Sequence, residues 1–178
     1  MRKLQISLLS VICLSQLAYA QSSAIANREF SSDDDFVKTN AVRLPKPVLA
    51  ALLATKEAEA GRDWVRNNPG EDSNVLFNAF PVNLSTTAAE KDYVVVGKDR
   101  LTGADNVWFW IVRSISPKPQ VLLFCSTLTV DVLSSAHNSL KDLRCAWESP
   151  GGDGEIEDYH FNGRRYVLAK RILTHRRP

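Results

Sequence analysis

The side chains of this sequence that could carry out acid–base chemistry are its three histidines, His137, His160 and His175. His160 follows Glu157 and Asp158, and a carboxylate beside an imidazole can orient the ring as a general base. His175 lies in a basic C-terminal segment, and we expect it to be disordered rather than catalytic. A pair formed by His160 and a carboxylate is therefore the first catalytic arrangement to consider.

The strand pattern around His160 argues against catalysis. Successive side chains of a strand point to opposite faces, so His160 points away from Tyr159 and Phe161. If the two aromatic side chains face the core, the histidine faces solvent. The sequence also lacks the G-x-S-x-G, H-E-x-x-H and C-x-x-C motifs. We therefore expect binding rather than catalysis, with no cofactor and no metal site.

A polar segment from Ser134 to Leu143 is the first candidate binding surface. Asn138 and Asp142 are residue types that cap turns and hydrogen-bond to loop amides, so this segment could simply serve the fold. Alternatively, it is a presented loop that exposes His137 and Asn138 to a partner. The sequence leaves both interpretations open.

A glycine-rich segment, Gly151–Glu155, is the second candidate surface. It could wrap a calcium ion, but its acidic residues lack the regular spacing of a calcium loop, which favours a mobile hairpin loop. The predicted binding residues are therefore His137, Asn138, Asp153 and Glu155.

The N-terminus has the pattern of a bacterial secretory signal peptide, residues 1–20. Arg2 and Lys3 precede an apolar run, and Ala18-Tyr19-Ala20 places small residues at the two positions that a signal peptidase reads. The run is too short to span a bilayer comfortably, and no second apolar run of about 18 residues follows it. We expect a periplasmic or secreted protein without an integral membrane segment.

Removal of the signal peptide leaves two cysteines, Cys125 and Cys145. An even number of cysteines in an exported chain predicts a disulfide, which would close a loop of about 20 residues. Two buried free thiols are the alternative. A catalytic thiol would need a histidine pattern that the sequence does not show.

The charge of the chain also bears on its partners. The sequence contains 22 Lys+Arg and 20 Asp+Glu, and its excess of two positive charges comes from Arg2 and Lys3 of the signal peptide. The mature chain is therefore close to neutral, and no global field favours nucleic acid. We expect a protein partner in the cell envelope; the oligomeric state stays open.

The remaining chain divides into three parts. Residues 21–43 are polar and are expected to form a flexible leader, in which Asp33-Asp34-Asp35 is a solvated charge run. Residues 44–172 are predicted to form a single domain that begins with a helix from Leu44 to Gly61. Residues 173–178 form a basic tail.

After that helix, the apolar pattern changes to the period of two that is typical of strands. The predicted strands are Val75–Phe80, Tyr93–Val96, Val107–Ile115, Val121–Leu128, Leu143–Trp147, Glu155–Phe161 and Arg164–Ile172. Polarity does not alternate in the third of these, so we expect it to be central and covered on both faces. The fold class is α+β, with one N-terminal helix packed on an antiparallel meander sheet of about seven strands.

Two further features carry structural predictions. Asn162-Gly163 predicts a type I′ hairpin turn, and the basic residues after it would protect an edge strand. Trp108 and Trp110 fall on one face of their strand. We expect core packing for both rings; if they were exposed, they would form a stacking ledge for a glycan.

The C-terminal part of the sequence resembles small exported bacterial β-rich proteins of uncharacterised function. The resemblance is carried by the runs SSAHNSLKDLRCAW and DYHFNGRRYVL. In that group a polar turn with Asn precedes Asp-Leu and a strand, followed by a hairpin of the form Tyr-x-Phe-(Asp/Asn)-Gly-x-x-Tyr. The matching residues are Asn138, Asp142, Leu143, Tyr159, Phe161, Asn162, Gly163 and Tyr166. The resemblance implies an exported bacterial β-rich protein, and it carries over no catalytic residue because none is established for that group.

Taken together, these features predict an exported non-catalytic binding protein, for example an inhibitor or immunity protein that acts on a cell-wall hydrolase or toxin. The alternatives are a cell-envelope hydrolase that uses His160 with a carboxylate and an accessory protein that binds glycan through its tryptophans.

Overall fold

The structure, a computed structural model, describes residues 28–31, 40–87, 91–103, 106–115, 118–149 and 152–175. The predicted signal peptide and the Asp33-Asp34-Asp35 run lie outside the described residues. Among the described residues, no helix combines the length and apolarity needed to cross a bilayer.

Two α-helices and nine strands make up the described regular structure, together with two short 3₁₀ helices at Ser73–Leu76 and Asp99–Leu101. The helices are α1 (Lys46–Leu53) and α2 (Glu59–Asn67). The strands are β1 (Arg28–Ser31), β2 (Phe77–Val82), β3 (Asp92–Gly97), β4 (Val107–Arg113), β5 (Gln120–Thr127), β6 (Thr129–His137), β7 (Leu140–Glu148), β8 (Gly154–Phe161) and β9 (Tyr166–Thr174).

The strands form two antiparallel sheets instead of the single predicted sheet. A four-stranded sheet has the order β2-β3-β4-β5, and a five-stranded sheet has the order β1-β6-β7-β8-β9. The predicted antiparallel, strand-rich character is confirmed, the two helices are compatible with the α+β class, and most connections are meander connections, but the single sheet of about seven strands is wrong. Strand β6 follows β5 after a single residue, Leu128, but it pairs with β1 and β7. The chain therefore passes from the four-stranded sheet to the five-stranded sheet at Leu128.

The main hydrophobic core lies between the two sheets. It combines Phe80 and Val94 of the smaller sheet with Phe30, Leu143 and Phe161 of the larger one. Burial of these large apolar side chains is the main force that holds the sheets together.

A second core lies between the smaller sheet and the helices. Strand β4 supplies both cores, since Phe109 and Ile111 belong to the first while Trp110 and Val112 belong to the second. The prediction that this strand is covered on both faces is confirmed. The molecule therefore has three layers: helices, four-stranded sheet and five-stranded sheet.

The predicted helix Leu44–Gly61 is interrupted, which gives two helices instead of one. The Thr55 hydroxyl donates to the Leu52 carbonyl at 2.8 Å, and Arg62 Nη1 donates to the Leu53 carbonyl at 2.7 Å. These bonds satisfy the carbonyls at the end of α1, where a helix leaves its last four C=O groups without partners. A threonine and an arginine seven residues after it give no helix-stop signal that a sequence pattern would detect.

Within the segment predicted as a flexible leader, residues 21–43, the structure describes one strand, β1. Arg28–Ser31 pairs with β6, and Phe30 is fully buried against Phe80 with ring centroids 5.9 Å apart. The leader was predicted from the polar composition of the whole segment, and a single aromatic side chain hardly changes that composition. It can nevertheless supply enough buried area to fix a four-residue strand.

Strand β6 was also missed, because its second half reads as a polar loop. Its first half contributes Val130 and Val132 to the core, whereas residues 134–137 are exposed. The pairing with β7 shifts register between Val132 and Ala136, which marks a bulge before the hairpin turn.

Candidate functional site at the paired hairpin tips

A two-residue turn joins β6 to β7 and forms the hairpin tip, residues 137–140. His137 pairs with Leu140 across the turn, and the two residues between them have positive φ angles, 49° for Asn138 and 70° for Ser139. Positive φ at both central positions is the requirement of a type I′ turn. The segment that was expected to be a presented loop therefore contains a tight two-residue hairpin turn.

Hydrogen bonds attach the hairpin tip to neighbouring parts of the fold. The Asn138 side-chain amide donates to the Phe161 carbonyl at 2.7 Å. On the other side, Thr86 N donates to the Ser139 carbonyl at 3.0 Å and Lys141 N donates to the Leu84 carbonyl at 2.8 Å. Residues 137–139 of the tip are exposed to solvent, but the tip is tied to β8 and to the segment after β2.

The histidine at the tip contacts a buried carboxylate. His137 Nδ1 lies 2.8 Å from Asp142 Oδ1 and 3.0 Å from Asp142 Oδ2. The Asp142 side chain is 1% exposed, whereas that of His137 is 48% exposed. The carboxylate therefore orients an imidazole whose outer edge faces solvent.

The second histidine comes from β8 and completes a cluster of three, His137, Asp142 and His160. The two imidazole rings stack with centroids 3.7 Å apart and an interplanar angle of 12°. His160 Nε2 lies 3.9 Å from Asp142 Oδ2, which is beyond hydrogen-bond distance. His160 points away from the buried Phe161, so its predicted outward orientation is confirmed.

The buried Tyr166 holds the beginning of β7, next to the histidine cluster, from the core side of the sheet. The Tyr166 hydroxyl donates to the Lys141 carbonyl at 2.6 Å. Burial raises the pKa of the Tyr166 phenol well above its ordinary value, and the negative charges of Asp92 and Asp142 raise it further. The phenol therefore stays neutral and holds the start of β7 next to the start of β9.

The β8–β9 turn lies beside the hairpin tip and brings positive charge to it. Phe161 pairs with Tyr166, so residues 162–165 form the turn, and only Gly163 among them has a positive φ, 94°. The predicted type I′ geometry for Asn162-Gly163 is wrong. The Asn162 carboxamide oxygen accepts from the backbone amides of residues 164 and 165 at 3.0 and 2.9 Å, which closes a wider turn.

This wider turn exposes Arg164 and Arg165, which were predicted to lie in a strand. They border a polar groove that also contains Asn162 and residues 120–122 of strand β5. We call the surface formed by the hairpin tip, His160, Arg164 and Arg165 the basic end.

The four predicted binding residues do not form one site. His137 and Asn138 lie at the basic end, whereas Asp153 and Glu155 lie at the beginning of β8. Eight residues of extended chain, roughly 25 Å, separate Asp153 from Phe161. Asp153 Oδ1 lies 3.1 Å from His175 Nδ1, and Glu155 Oε1 lies 2.7 Å from Arg171 Nε.

The predicted disulfide pair is brought together by the fold. Cys125 of β5 and Cys145 of β7 are both buried, are free thiols in this structure and face each other across the main core. A hydrogen bond between the two thiols, followed by burial, raises the pKa of the Cys145 thiol well above its ordinary value. The two cysteines come from opposite sheets, and the bridge stays a prediction.

The alternative to core packing, an exposed glycan ledge, loses one of its two rings. Trp110 is fully buried and contacts Phe124, with ring centroids 5.3 Å apart. Trp108 is partly buried and packs against the same core. The core-packing expectation is confirmed for Trp110, so the two tryptophans do not form an exposed platform.

A row of charged side chains crosses the five-stranded sheet on the face that carries His160. Cross-strand pairing aligns Glu29, Asp131, Arg144, Asp158 and Lys170. Arg144 donates to both Asp158 oxygens, at 2.7 and 3.1 Å. These hydrogen bonds lower the pKa of the Asp158 carboxyl, while burial and the nearby charge of Glu29 raise the pKa of Asp131.

Comparison with protein-family models, with functionally characterised proteins and with solved structures finds no significant match to this chain.

Asp142 is the site residue whose role the sequence did not reveal, since it was interpreted as a turn-capping residue. It lies one step beyond the Leu143–Tyr159 pair of β7 and β8, at the level of His160. Only the register between β7 and β8 shows that Asp142 and His160 are neighbours, and this register could not be predicted from the sequence.

Proposed function

We propose that this protein is an exported, non-catalytic inhibitor that inserts its basic end into the active-site cleft of a cell-wall hydrolase. The observation that carries the proposal is the hairpin tip, whose residues 137–139 are exposed while hydrogen bonds hold their backbone. Exposure makes the tip available to a partner, and the anchoring gives it a defined shape.

Preorganisation favours binding for an entropic reason. Ordering a mobile side chain at an interface costs about 0.5–1.5 kcal/mol, and a loop that is already ordered avoids most of that cost. The bond from Asn138 to the Phe161 carbonyl and the contact of His137 with Asp142 supply this order before any partner arrives.

Charge narrows the class of partner to hydrolases that cleave glycan strands. Such enzymes use a pair of Asp or Glu side chains that flank the scissile bond, so their clefts are rich in carboxylates. Arg164 and Arg165 extend from the turn next to the tip, and arginine recognises carboxylates through two parallel hydrogen bonds. The predicted signal peptide agrees with a partner in the cell envelope or outside the cell.

The expected contacts differ from the four predicted residues. His137, Ser139, Arg164 and Arg165 face outward at the basic end, whereas the Asn138 amide is directed towards Phe161 and positions the turn. Asp153 and Glu155 lie at the N-terminal end of β8, away from the basic end, and are not part of this surface.

The hydrolase alternative has one observation in its favour, the pair formed by His137 and Asp142, which resembles the oriented base of a catalytic triad. Within the described part of the chain, however, no hydroxyl or thiol is hydrogen-bonded to either imidazole of the cluster. Glu157, the expected partner of His160, instead accepts from Tyr159 at 2.5 Å and pairs with Arg171. Inhibition is therefore the better supported function.

The proposal is tested by affinity capture from envelope and culture extracts in the presence of EDTA, followed by mass spectrometry. The baits are the mature protein, the double variant Arg164→Glu/Arg165→Glu and the matched control Arg66→Glu/Arg100→Glu, which reverses two exposed arginines of the helical layer. We expect the wild type and the control to enrich a glycan-cleaving hydrolase and the first variant to lose it. Failure to enrich such an enzyme, or equal capture by all three baits, contradicts the proposal.

A further inference from the structure

The cluster at the basic end has the composition of a metal site. One ligand atom from each of His137, Asp142 and His160 lies within 4.8 Å of the others. Two imidazole nitrogens and one carboxylate oxygen are a ligand set that transition-metal ions use, with further positions left for water or substrate.

The burial of Asp142 provides a second, independent reason to expect a cation. A buried carboxylate is costly unless a positive charge or hydrogen-bond donors compensate it. The groups that the described structure places in hydrogen-bond or ion-pair contact with the Asp142 carboxylate are His137 and His160, which lie on its solvent side. A divalent ion between these three side chains would place a permanent positive charge next to this buried carboxylate.

We propose that His137, Asp142 and His160 bind a divalent transition-metal ion of the zinc class. Strands β6, β7 and β8 each supply one ligand, so the ion would join the hairpin tip to the end of β8. The half-exposed imidazoles leave the outer side of the ion open to water or to a side chain of a partner.

Binding requires a small rearrangement that can be observed. The lone pair of an imidazole nitrogen lies in the ring plane, and the two rings now stack almost parallel. They must swing apart to direct both lone pairs to one ion at about 2.0–2.1 Å. If His137 binds through Nδ1, it exchanges its hydrogen bond to Asp142 for the metal, and binding releases a proton wherever that nitrogen carries one.

Hard cations fit the cluster poorly. Calcium prefers six to eight oxygen ligands, and magnesium keeps an octahedral shell that consists largely of water. Imidazole nitrogen instead suits zinc, copper and nickel. Millimolar calcium or magnesium should therefore not compete with zinc for this site.

The test is a calorimetric titration of tag-free mature protein with zinc chloride, with excess calcium present. The variants are His137→Gln and His160→Gln, and the matched control is His175→Gln, which removes an exposed histidine at the other end of the sheet. We expect one zinc ion per chain for the wild type and for the control. Loss of either cluster histidine should weaken binding at least about tenfold, because changes outside the ligand shell of known sites already cost 10- to 100-fold.

Proton NMR of the imidazoles provides a second readout in the same samples. Zinc should shift the ring signals of residues 137 and 160 and leave those of His175 unchanged. Absence of saturable binding, or equal affinity in the two cluster variants and the wild type, overturns the inference. Because the capture experiment is done in EDTA, its result is independent of this one.

Discussion

His137 Nδ1 lies 2.8 Å from Asp142 Oδ1, so a carboxylate that is 1% exposed orients an imidazole at the tip of an exposed hairpin. The contact links the surface that we propose as the binding site to the interior of the five-stranded sheet. Residues at the tip are therefore expected to affect both stability and recognition, and substitutions can separate the two effects.

The turn geometry can be tested with two adjacent substitutions. Asn138→Ala removes the bond to the Phe161 carbonyl and places alanine at a φ of 49°, and we expect it to lower the free energy of unfolding by about 2 kcal/mol. Ser139→Gly relieves a φ of 70° and should raise that free energy by roughly 0.5–1 kcal/mol. Urea unfolding measures both changes in the free energy of unfolding. If Asn138→Ala were stabilising and Ser139→Gly destabilising, a turn with two positive φ angles would be excluded.

The ion pair between Arg144 and Asp158 predicts a specific dependence of stability on pH. Hydrogen bonds from Arg144 lower the pKa of Asp158 in the folded state. This contribution is present above the unfolded pKa of about 4 and is lost as the pH falls through the folded pKa. Asp158→Asn should therefore cost about 1 kcal/mol at pH 7 and progressively less below pH 4.

The matched control for Asp158→Asn is Asp63→Asn, which removes an exposed partner of Arg66 and should change stability by less than about 0.5 kcal/mol. Urea unfolding at pH 7 and pH 3 compares the two variants. A cost for Asp158→Asn that stays constant between these pH values would mean that the ion pair does not stabilise the fold.

The docking of β1 is tested by Phe30→Ala. Its ring is fully buried between the sheets, and truncation of a buried phenylalanine typically costs about 3–5 kcal/mol. The matched control on the same strand is Glu29→Ala, an exposed position at which we expect a change within about 0.5 kcal/mol. If Phe30→Ala leaves the urea midpoint unchanged, residues 28–31 are part of a flexible leader after all.

The two core thiols predict a response to oxidation. In the reduced protein, Cys125 and Cys145 are buried and should react slowly with thiol reagents until the protein unfolds. Oxidation should join them within one chain and raise the free energy of unfolding by roughly 3 kcal/mol. Peptide mapping and urea unfolding check both statements, with Cys125→Ala/Cys145→Ala as the control that does not respond.

Oxidation that produces only intermolecular disulfides, with no change in unfolding, would contradict this expectation. It would also remove the cysteine pair as an argument for an exported protein.

Part of the fold was predictable because local patterns matched the final environment. The unbroken apolar run around Trp110 predicted a strand covered on both faces, and the alternation around His160 predicted its outward orientation. The basic C-terminal strand was expected at an edge, and β9 is an edge strand. In each case neighbouring residues along the chain contain the relevant information.

The rest depended on contacts between distant residues. Phe30 forms a strand only because β6 offers an edge and the core offers space. Asp142 meets His160 only because β7 and β8 pair in one register, with Leu143 opposite Tyr159. The division into two sheets likewise follows from the pairing of β6 with β1, and no periodicity within one segment encodes that pairing.

The most direct test of the central claim is the initial rate at which peptidoglycan-cleaving glycosidases clear a peptidoglycan suspension, measured against increasing concentrations of the mature protein. The account predicts saturable inhibition of at least one enzyme, retained by Arg66→Glu/Arg100→Glu and lost in Arg164→Glu/Arg165→Glu. Unchanged rates across a panel of such enzymes, or equal inhibition by both variants, would contradict it.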